Sequence, residues 1–271
     1  MKFSLTIRPI DLTGKTVPAD LANDPTNTDR FNSANMINRF NALVDYVFTI
    51  IDENNLTSLQ VGNEIDHYNT SGEHANFWSD YGSFLGGIKS HLAANHPGVK
   101  LGTTITLKGA LSGTLHGLGV WSAYANLLDV LGITYYPLDD SFNVNSPTAP
   151  LVDLQQLNDE YAGNSALLYL QEIGYQTSAT NASSASKQAE FFCNFFQAWD
   201  SYRAKMPFAN IVRLIDISAA DSVAMAGPYG GAGNFPFTEY LRTLGLRHYE
   251  STGTDKEAFG IIKSEMVKRG F

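Results

Sequence analysis

Short apolar runs alternate with longer amphipathic segments along the chain. Six runs rich in β-branched, leucine and aromatic residues predict strands, and they cover residues 3–10, 58–63, 99–107, 131–138, 166–174 and 210–218. These runs do not alternate strictly between apolar and polar positions, which is typical of strands buried on both faces of a parallel sheet. The pattern therefore predicts parallel strands connected by helices.

Three of the intervening segments place large apolar residues on one face at helical spacing. The three stripes are Met36, Phe40, Leu43, Val44, Val47 and Ile51; Phe77, Tyr81, Phe84, Leu85, Ile88 and Leu92; and Phe191, Phe192, Phe195, Phe196, Trp199 and Tyr202. We expect them to pack on the sheet rather than to bind a cofactor. This β-α alternation predicts an α/β fold, either a barrel or a doubly wound sheet. Because neither a G-x-G-x-x-G sequence after the first strand nor a Walker A motif occurs, a nucleotide-binding doubly wound sheet is the weaker option.

Composition narrows the class of protein. The chain has 271 residues, of which 44% are hydrophobic, and we expect one domain spanning residues 1–271. A net charge of −9 argues against nucleic acid or an anionic membrane as the main partner. No apolar run approaches the ~18 residues of a membrane span. Cys193 is the only cysteine, which excludes an internal disulfide, and its aromatic surroundings predict a core position.

Two glutamates stand at the ends of predicted strands. Glu64 follows Asn63 at the end of the second run, and Glu172 lies at the end of the fifth. In a parallel barrel the chemistry is carried by the C-terminal ends of the strands. One such glutamate is usually a solvated loop residue, but two on the same rim favour a functional pair, since glycosidic bonds are cut by paired carboxyl groups held on rigid supports.

The residues around these glutamates resemble a known group of enzymes. The segment "LQVGNEID" (59–66) resembles the Asn-Glu signature on the fourth strand of the clan A retaining glycoside hydrolases, most closely family 53, the endo-β-1,4-galactanases. The segment "LGITYYPL" (131–138) is similar to the Tyr-Tyr-Pro motif of the sixth strand, and "YLQEIGY" (169–175) stands where the seventh strand presents the nucleophile. The tail "LGLRHYESTGTDKEAF" (244–259) is similar to the common ending of the clan. The resemblance spans most of the chain and implies a (β/α)8 barrel of the TIM-barrel type.

The resemblance also implies a mechanism, which is retaining hydrolysis of β-linked glycans by double displacement. Glu64 would be the general acid and then the base, and Glu172 the nucleophile that forms a covalent glycosyl-enzyme. Asn63 would hold the sugar 2-hydroxyl. Either Tyr135 or Tyr136 would donate a hydrogen bond to the nucleophile, and because successive strand residues face opposite sides we favour Tyr136. This chemistry needs no metal or cofactor, and the six histidines show no H-x-x-x-H pair.

Further residues have roles that the sequence leaves open. Arg8, at the end of the first run, could contact the nucleophile or a sugar hydroxyl, or could pair with Asp11. His67 and Tyr68 are equally consistent with sugar contact and with packing. Packing is expected for the two tryptophans in helical segments, Trp78 and Trp121. Arg213 and Asp216, near the end of the last run, could line the cleft or pair with each other.

Only six of the eight strands of a complete barrel are visible in the sequence. The Asn-Glu strand is the second rather than the fourth, so we expect either an N-terminally truncated chain, with the first two β-α units missing, or an abbreviated barrel. Three alternatives stay open: a family 5-like β-glucanase or mannanase, a non-catalytic sugar-binding barrel, and a parallel α/β enzyme with the glutamates in rim salt bridges. The expected partner is an oligo- or polysaccharide. The oligomeric state is not indicated, and an extracellular location rests on the resemblance alone.

Overall fold

A computed structural model of the chain describes residues 2–22, 31–68, 76–111, 124, 126–249 and 253–270. Trp121 lies outside the described residues. The chain divides into two compact units. Unit 1 comprises Met1–Ile133 and Gly163–Tyr169, and unit 2 comprises Thr134–Ala162 and Leu170–Phe271. The single domain expected over residues 1–271 stays a prediction.

Seven strands within the described residues form one mostly parallel sheet. They are β1 Phe3–Asp11, β2 Gly14–Lys15, β3 Leu56–Asn63, β4 Leu101–Thr106, β5 Val130–Tyr135, β6 Leu167–Ile173 and β7 Phe208–Ile211, in the order β2-β1-β3-β4-β5-β6-β7. Each predicted run overlaps a strand, although the run 210–218 shares only residues 210 and 211 with β7. Beyond β7, an isolated bridge joins Ile215 of that run to Arg247. The run pattern did not reveal β2, which pairs with β1 as an antiparallel hairpin.

Nine α-helices connect or follow these strands in the described part of the chain. They are α1 Ala19–Ala22, α2 Ala34–Ile50, α3 Phe77–Asn95, α4 Leu107–Leu111, α5 Pro150–Tyr161, α6 Ala185–Tyr202, α7 Ala219–Ala226, α8 Phe235–Arg242 and α9 Glu257–Lys268. Serine side chains cap α2 and α6, where Ser33 and Ser184 accept hydrogen bonds from the backbone amides three residues later. None of the described helices is both long and apolar enough to cross a membrane.

The core of unit 1 is built by α2 and α3. All six predicted apolar residues of α3 are buried. On α2 the buried set is smaller, and Leu43, expected on the core face, is 43% exposed. Leu43 lies 100° around the helix from the fully buried Val44, so it falls at the edge of the stripe. Phe40 on α2 meets Phe84 on α3 with ring centroids 5.1 Å apart, and Phe31 packs on α3 with its ring 5.2 Å from Tyr81 and 5.4 Å from Phe84.

The core of unit 2 centres on the aromatic face of α6. Five of the six predicted residues, from Phe191 to Trp199, are buried. Cys193 is exposed, so the expectation of a core cysteine was wrong. It lies two residues after Phe191, a rotation of about 200°, which places it on the opposite face of the helix.

Backbone hydrogen bonds fix the C-terminal ends of neighbouring strands to one another. The amide of Leu12 donates to the carbonyl of Asn63 at 3.0 Å, which joins the ends of β1 and β3 in unit 1. In unit 2 the amide of Gly174 donates to the carbonyl of Tyr135 at 3.1 Å, which joins the ends of β5 and β6. These are the strand ends that carry the glutamates and tyrosines singled out in the sequence.

Candidate active site

Gly62 lets strand β3 turn just before the Asn-Glu pair. Its φ is +78°, and a Cβ there would lie 2.5 Å from the hydroxyl oxygen of Tyr81 and 2.6 Å from a methyl carbon of Ile65. Tyr81, on α3, donates that hydroxyl to the carbonyl of Val61 at 2.9 Å. Only glycine combines this backbone conformation with this close approach. Strand β3 therefore ends in a turn that is fixed by its sequence.

Glu64 adopts a left-handed backbone conformation. Its φ and ψ are both 46°, and a short 3-10 turn, Ile65–His67, follows directly. The side chain is half-buried. This conformation costs a non-glycine residue about 1–3 kcal/mol, and such strain is concentrated at functional sites. The chain thus presents one carboxylate at the end of a buried strand in a geometry that local preference alone would not select.

Asp66 anchors the turn after Glu64 to the end of β4. Its buried carboxylate accepts a hydrogen bond from the amide of Thr106 at 3.0 Å and another from the Thr106 hydroxyl at 2.6 Å. Gly109 leaves room for the carboxylate, which a side chain there would clash with. Burial raises the pKa of Asp66 above its ordinary value, against the opposing effect of the Thr106 hydrogen bonds. The sequence did not reveal this role of Asp66, because an acidic residue two positions after Glu64 is expected to lie in a solvent-exposed loop.

Asn63 and Arg8 both contact Asp11. The amide of Asn63, 5% exposed, donates to the Asp11 carboxylate at 3.0 Å. A guanidinium nitrogen of Arg8 lies 3.4 Å from both carboxylate oxygens of Asp11. Arg8 also lines an apolar pocket of about 250 Å³, together with Phe40 and Leu43. Of the two alternatives for Arg8, the pairing with Asp11 is the contact observed within unit 1.

The residues that follow the acid differ in their surroundings. Tyr68 is 7% exposed, and its ring lies 5.0 Å from Phe77 and 6.4 Å from Phe31, so it belongs to the core of unit 1. His67 is half-buried. Trp78 packs against Phe77, with ring centroids 4.9 Å apart, in agreement with the expectation of packing. Between His67 and Tyr68, only His67 stays a candidate for sugar contact.

In unit 2, Tyr136 donates a hydrogen bond to Glu172. The phenol hydroxyl lies 2.8 Å from a carboxylate oxygen of Glu172, and both side chains are half-buried. Gly174 makes this contact possible, because a Cβ at that position would lie 2.6 Å from the ring of Tyr136. We expected Tyr135 or Tyr136 to donate a hydrogen bond to Glu172, and Tyr136 is the residue that does so.

Tyr135 faces away from Glu172. It is fully buried, and its hydroxyl donates to Asp153 on α5 at 2.7 Å. Burial raises the pKa of the Tyr135 phenol, and the neighbouring Asp153 raises it further. Burial likewise raises the pKa of Asp153. Of the two tyrosines, Tyr136 is therefore the one that contacts Glu172, because alternate residues of the strand end point to opposite sides. Substrate contact by Tyr135 stays a prediction.

An aromatic cluster that the sequence did not reveal packs against Tyr136. Tyr240, on α8, meets the Tyr136 ring edge-on at 5.7 Å. Phe142 and Phe237 pack on Tyr240, each with its ring 6.1 Å away, and lie 4.8 Å from each other. Phe142 and Phe237 are only partly buried. Helical spacing links Phe237 to Tyr240 on α8, but no spacing along one element links them to Tyr136 or Phe142.

Arg213 and Asp216 do not pair with each other. Arg213 donates to the carbonyl of Leu241 at 3.2 Å. Asp216 accepts from the amine of Lys256 at 2.8 Å, and the side chain of Lys256 is wholly inaccessible to solvent. Burial lowers the pKa of Lys256, and the adjacent Asp216 opposes that change. The tail motif that contains Lys256 thus contributes a buried ion pair, which the sequence did not indicate.

One group of side chains among the described residues has the composition of a metal site: Asp45, His91 and His96, all in unit 1. The two histidines are five residues apart in the sequence, a spacing that the H-x-x-x-H pattern does not include. Neither they nor Asp45 border Glu64 or Glu172 in the sequence.

Comparison with known proteins identifies the fold. No protein-family profile and no curated protein sequence matches the chain. Among solved structures, an exo-β-1,4-mannosidase from Opitutaceae bacterium strain TAV5 matches 94% of the chain with a TM-score of 0.65 and 17% identity. A GH5_18 protein from Streptomyces cattleya in complex with GlcNAc matches 98% of it with a TM-score of 0.67 and 14% identity. The fold is α/β, of the TIM-barrel type.

A third match, Bacteroides uniformis β-glucuronidase 2 covalently bound to an aziridine, covers 94% of the chain with a TM-score of 0.59 and 12% identity. The chain spans 44%, 62% and 27% of the lengths of these three proteins. At such identities the similarity establishes the fold, and the enzymatic activities belong to those proteins. Family 53 stays a prediction.

Proposed function

We propose that the chain is a retaining glycoside hydrolase for β-linked glycans, with Glu172 as the nucleophile and Glu64 as the acid and base. The observation that carries the proposal is the 2.8 Å hydrogen bond from Tyr136 to Glu172 at the end of a barrel strand. A phenol that donates to a carboxylate oxygen fixes the orientation of the carboxyl group. The fold supports the proposal, because enzymes on β-linked sugars are among its structural matches.

The conformation of Glu64 is a second support. Strand β3 ends in a glycine turn, and the strained residue after Asn63 is a carboxylic acid rather than the glycine that the conformation favours. In barrels of this type the C-terminal strand ends carry the chemistry. We infer that the strain is maintained because the carboxyl group is needed at this point.

The proposed reaction has two steps. The Glu172 carboxylate attacks the anomeric carbon while Glu64 gives its proton to the leaving glycosidic oxygen, which breaks the glycosidic bond and forms a glycosyl ester. Glu64 then takes a proton from water, whose oxygen attacks the same carbon and releases Glu172. Two inversions leave the anomeric configuration unchanged. Asn63, oriented by Asp11, would donate to the sugar 2-hydroxyl in both steps.

Two substrate classes are proposed within this function. The sequence resemblance favours β-1,4-galactan. The family 5-like alternative favours β-mannosides, because an exo-β-1,4-mannosidase and a GH5_18 protein are among the structural matches. A panel of aryl β-galactoside, β-mannoside, β-glucoside and β-glucuronide, with galactan and mannan as polymers, separates the two.

Substitution of the two glutamates tests the reaction. Glu64→Ala and Glu172→Ala should each lower kcat/KM on the best substrate by about 10²–10⁴-fold or more, whereas Glu190→Gln, at an exposed position on α6, should not change it. Azide should restore turnover in both variants, and the glycosyl azides that the two variants form should have opposite anomeric configurations. In Glu172→Ala, azide takes the place of the missing nucleophile and attacks the substrate directly, which gives one inversion. In Glu64→Ala, azide attacks the glycosyl-enzyme formed on Glu172, which gives two.

NMR of the first product anomer should show retention in the wild-type chain. Inversion would refute the assignment of Glu172 as nucleophile. Glycan binding without hydrolysis of any substrate in the panel would support the non-catalytic sugar-binding alternative and end the enzyme proposal.

A further inference from the structure

Two histidines and an aspartate meet on the outer layer of unit 1, where α2 packs beside α3. The Asp45 carboxylate oxygen lies 2.6 Å from Nε2 of His91 and 3.0 Å from Nε2 of His96. One ligand atom from each of the three residues lies within 4.8 Å of the other two. His91 is in the last turns of α3, and His96 is the residue at which that helix ends, so the change of backbone direction brings both rings to one point.

The ring of His96 is held in a definite orientation. Its Nδ1 lies 2.6 Å from the Glu53 carboxylate, and the ring of Phe48 packs edge-on against it at 4.7 Å. The side chains of His96 and His91 are 15% and 19% exposed. A carboxylate on the second nitrogen of a histidine is the usual outer partner of metal-binding histidines, because it fixes the tautomer that leaves Nε2 to the metal.

We propose that Asp45, His91 and His96 bind a late first-row divalent cation, with Zn²⁺ as the reference ion. Two imidazole nitrogens and one carboxylate oxygen form a typical ligand set for Zn²⁺, with one position left for water. Tetrahedral bonds of about 2.0–2.1 Å place ligand atoms roughly 3.3 Å apart. The distance from the Asp45 oxygen must therefore increase by about 0.7 Å to His91 and by about 0.3 Å to His96. The Asp45 side chain is 49% exposed, so it has room to move.

The proposed ion would fasten α2 to α3 and, through Glu53, to the short turn before β3. All four residues belong to the same unit and none lies on a strand end that carries a candidate catalytic group. The role is therefore structural and independent of glycoside hydrolysis. Without a metal, the same residues would form only an ion-pair network between the two helices, and this is the competing explanation.

Metal titration of the full chain separates the two explanations. After treatment with EDTA and dialysis, the protein should bind one Zn²⁺ ion per chain, added as ZnCl₂, at a site that depends on the two histidines. Equilibrium dialysis and calorimetry measure this binding. At a free Zn²⁺ concentration of 100 times Kd, the melting temperature should rise by about 5 °C or more. MgCl₂ should give neither effect, because Mg²⁺ prefers an all-oxygen environment.

Substitutions identify the ligands. His91→Gln and His96→Gln should each weaken this Zn²⁺ binding by about 100-fold or more, and Glu53→Gln by about 10–100-fold. Asp45→Asn, which keeps the size of the side chain, covers the case in which a histidine variant fails to fold. His248→Gln, which removes an exposed histidine of unit 2, is the matched control and should bind as the wild type does.

Three results would overturn the proposal. They are the absence of Zn²⁺ uptake, binding that survives both histidine substitutions and Asp45→Asn, and a melting temperature that EDTA and Zn²⁺ leave unchanged. Each of these outcomes would leave the ion-pair network as the explanation of the cluster. None of them bears on hydrolysis, which is measured separately.

Discussion

The left-handed conformation of Glu64 makes a prediction about stability that is independent of any substrate. Replacing Glu64 by Ala and by Gly removes the same carboxylate, so the difference between the two variants reports the backbone alone. With φ and ψ at 46°, an L-residue costs about 1–2 kcal/mol, which glycine does not pay. Glycine costs about 0.5–1 kcal/mol more backbone entropy on folding. From the middle of each range, Glu64→Gly should therefore be more stable than Glu64→Ala by about 0.75 kcal/mol.

The preceding residue is the matched control. Asn63 lies in strand β3, where alanine and glycine are both unstrained and only the entropy differs. Asn63→Ala should therefore be more stable than Asn63→Gly by about 0.5–1 kcal/mol. The order of the two variants is expected to reverse between adjacent positions.

Urea unfolding, followed by tryptophan fluorescence and far-UV circular dichroism, measures all four free energies of unfolding. Comparable m-values are needed for the comparison to hold. If Glu64→Ala is as stable as Glu64→Gly, Glu64 is not held in the left-handed conformation, and the argument that strain is maintained for function fails. The proposed function adds that both Glu64 variants lose hydrolysis, whichever is more stable.

Three further predictions concern other contacts. Tyr136→Phe removes the hydroxyl that donates to Glu172, and since hydrogen bonds to charged groups contribute about 1.5–3 kcal/mol, kcat/KM should fall about 10–150-fold; an unchanged rate in steady-state assays would remove Tyr136 from the mechanism. Lys256→Met leaves Asp216 buried without its partner and should lower the free energy of unfolding by about 3–5 kcal/mol. The double variant Lys256→Met with Asp216→Leu should restore much of that loss, and urea titrations that find it no more stable than Lys256→Met would contradict this. The pKa of Asp66 in the folded chain is raised above 3.8, so the stability that its protonated form contributes is complete below pH 3.8 and is lost as the pH rises through the folded pKa. Over that pH range the free energy of unfolding of the wild type should fall relative to that of Asp66→Asn, and parallel pH profiles for the two proteins would contradict this.

The strand and helix pattern was readable from the sequence because it reflects burial. Strand β3 has seven of its eight residues buried, and α3 buries the six residues that its period selects. The predicted burial was wrong for two residues whose sequence neighbours are buried. Cys193 lies among phenylalanines but on the solvent side of α6, and Leu43 sits at the edge of its stripe.

The candidate site was predictable to the extent that its residues follow strand ends. Glu64, Glu172 and Tyr136 were selected by position after apolar runs and by resemblance, and the Tyr136–Glu172 hydrogen bond agrees with that selection. The alternation of strand residues favoured Tyr136 over Tyr135, and the contact of Tyr135 with Asp153 agrees with that preference. The catalytic roles and the sugar contacts of Asn63 and His67 stay predictions.

The sequence by itself determined the α/β alternation and the residues that end each strand. These features depend on the local periodicity of apolar positions. The need for glycine before Asn63 became clear only from the positive φ of Gly62 and its contact with Tyr81. Only the tertiary structure decided which distant side chains meet. The aromatic cluster around Tyr240, the Lys256–Asp216 pair and the His91–His96–Asp45 group each unite residues from separate elements. Their proximity results from how helices pack within each unit, and no spacing along one element encodes it.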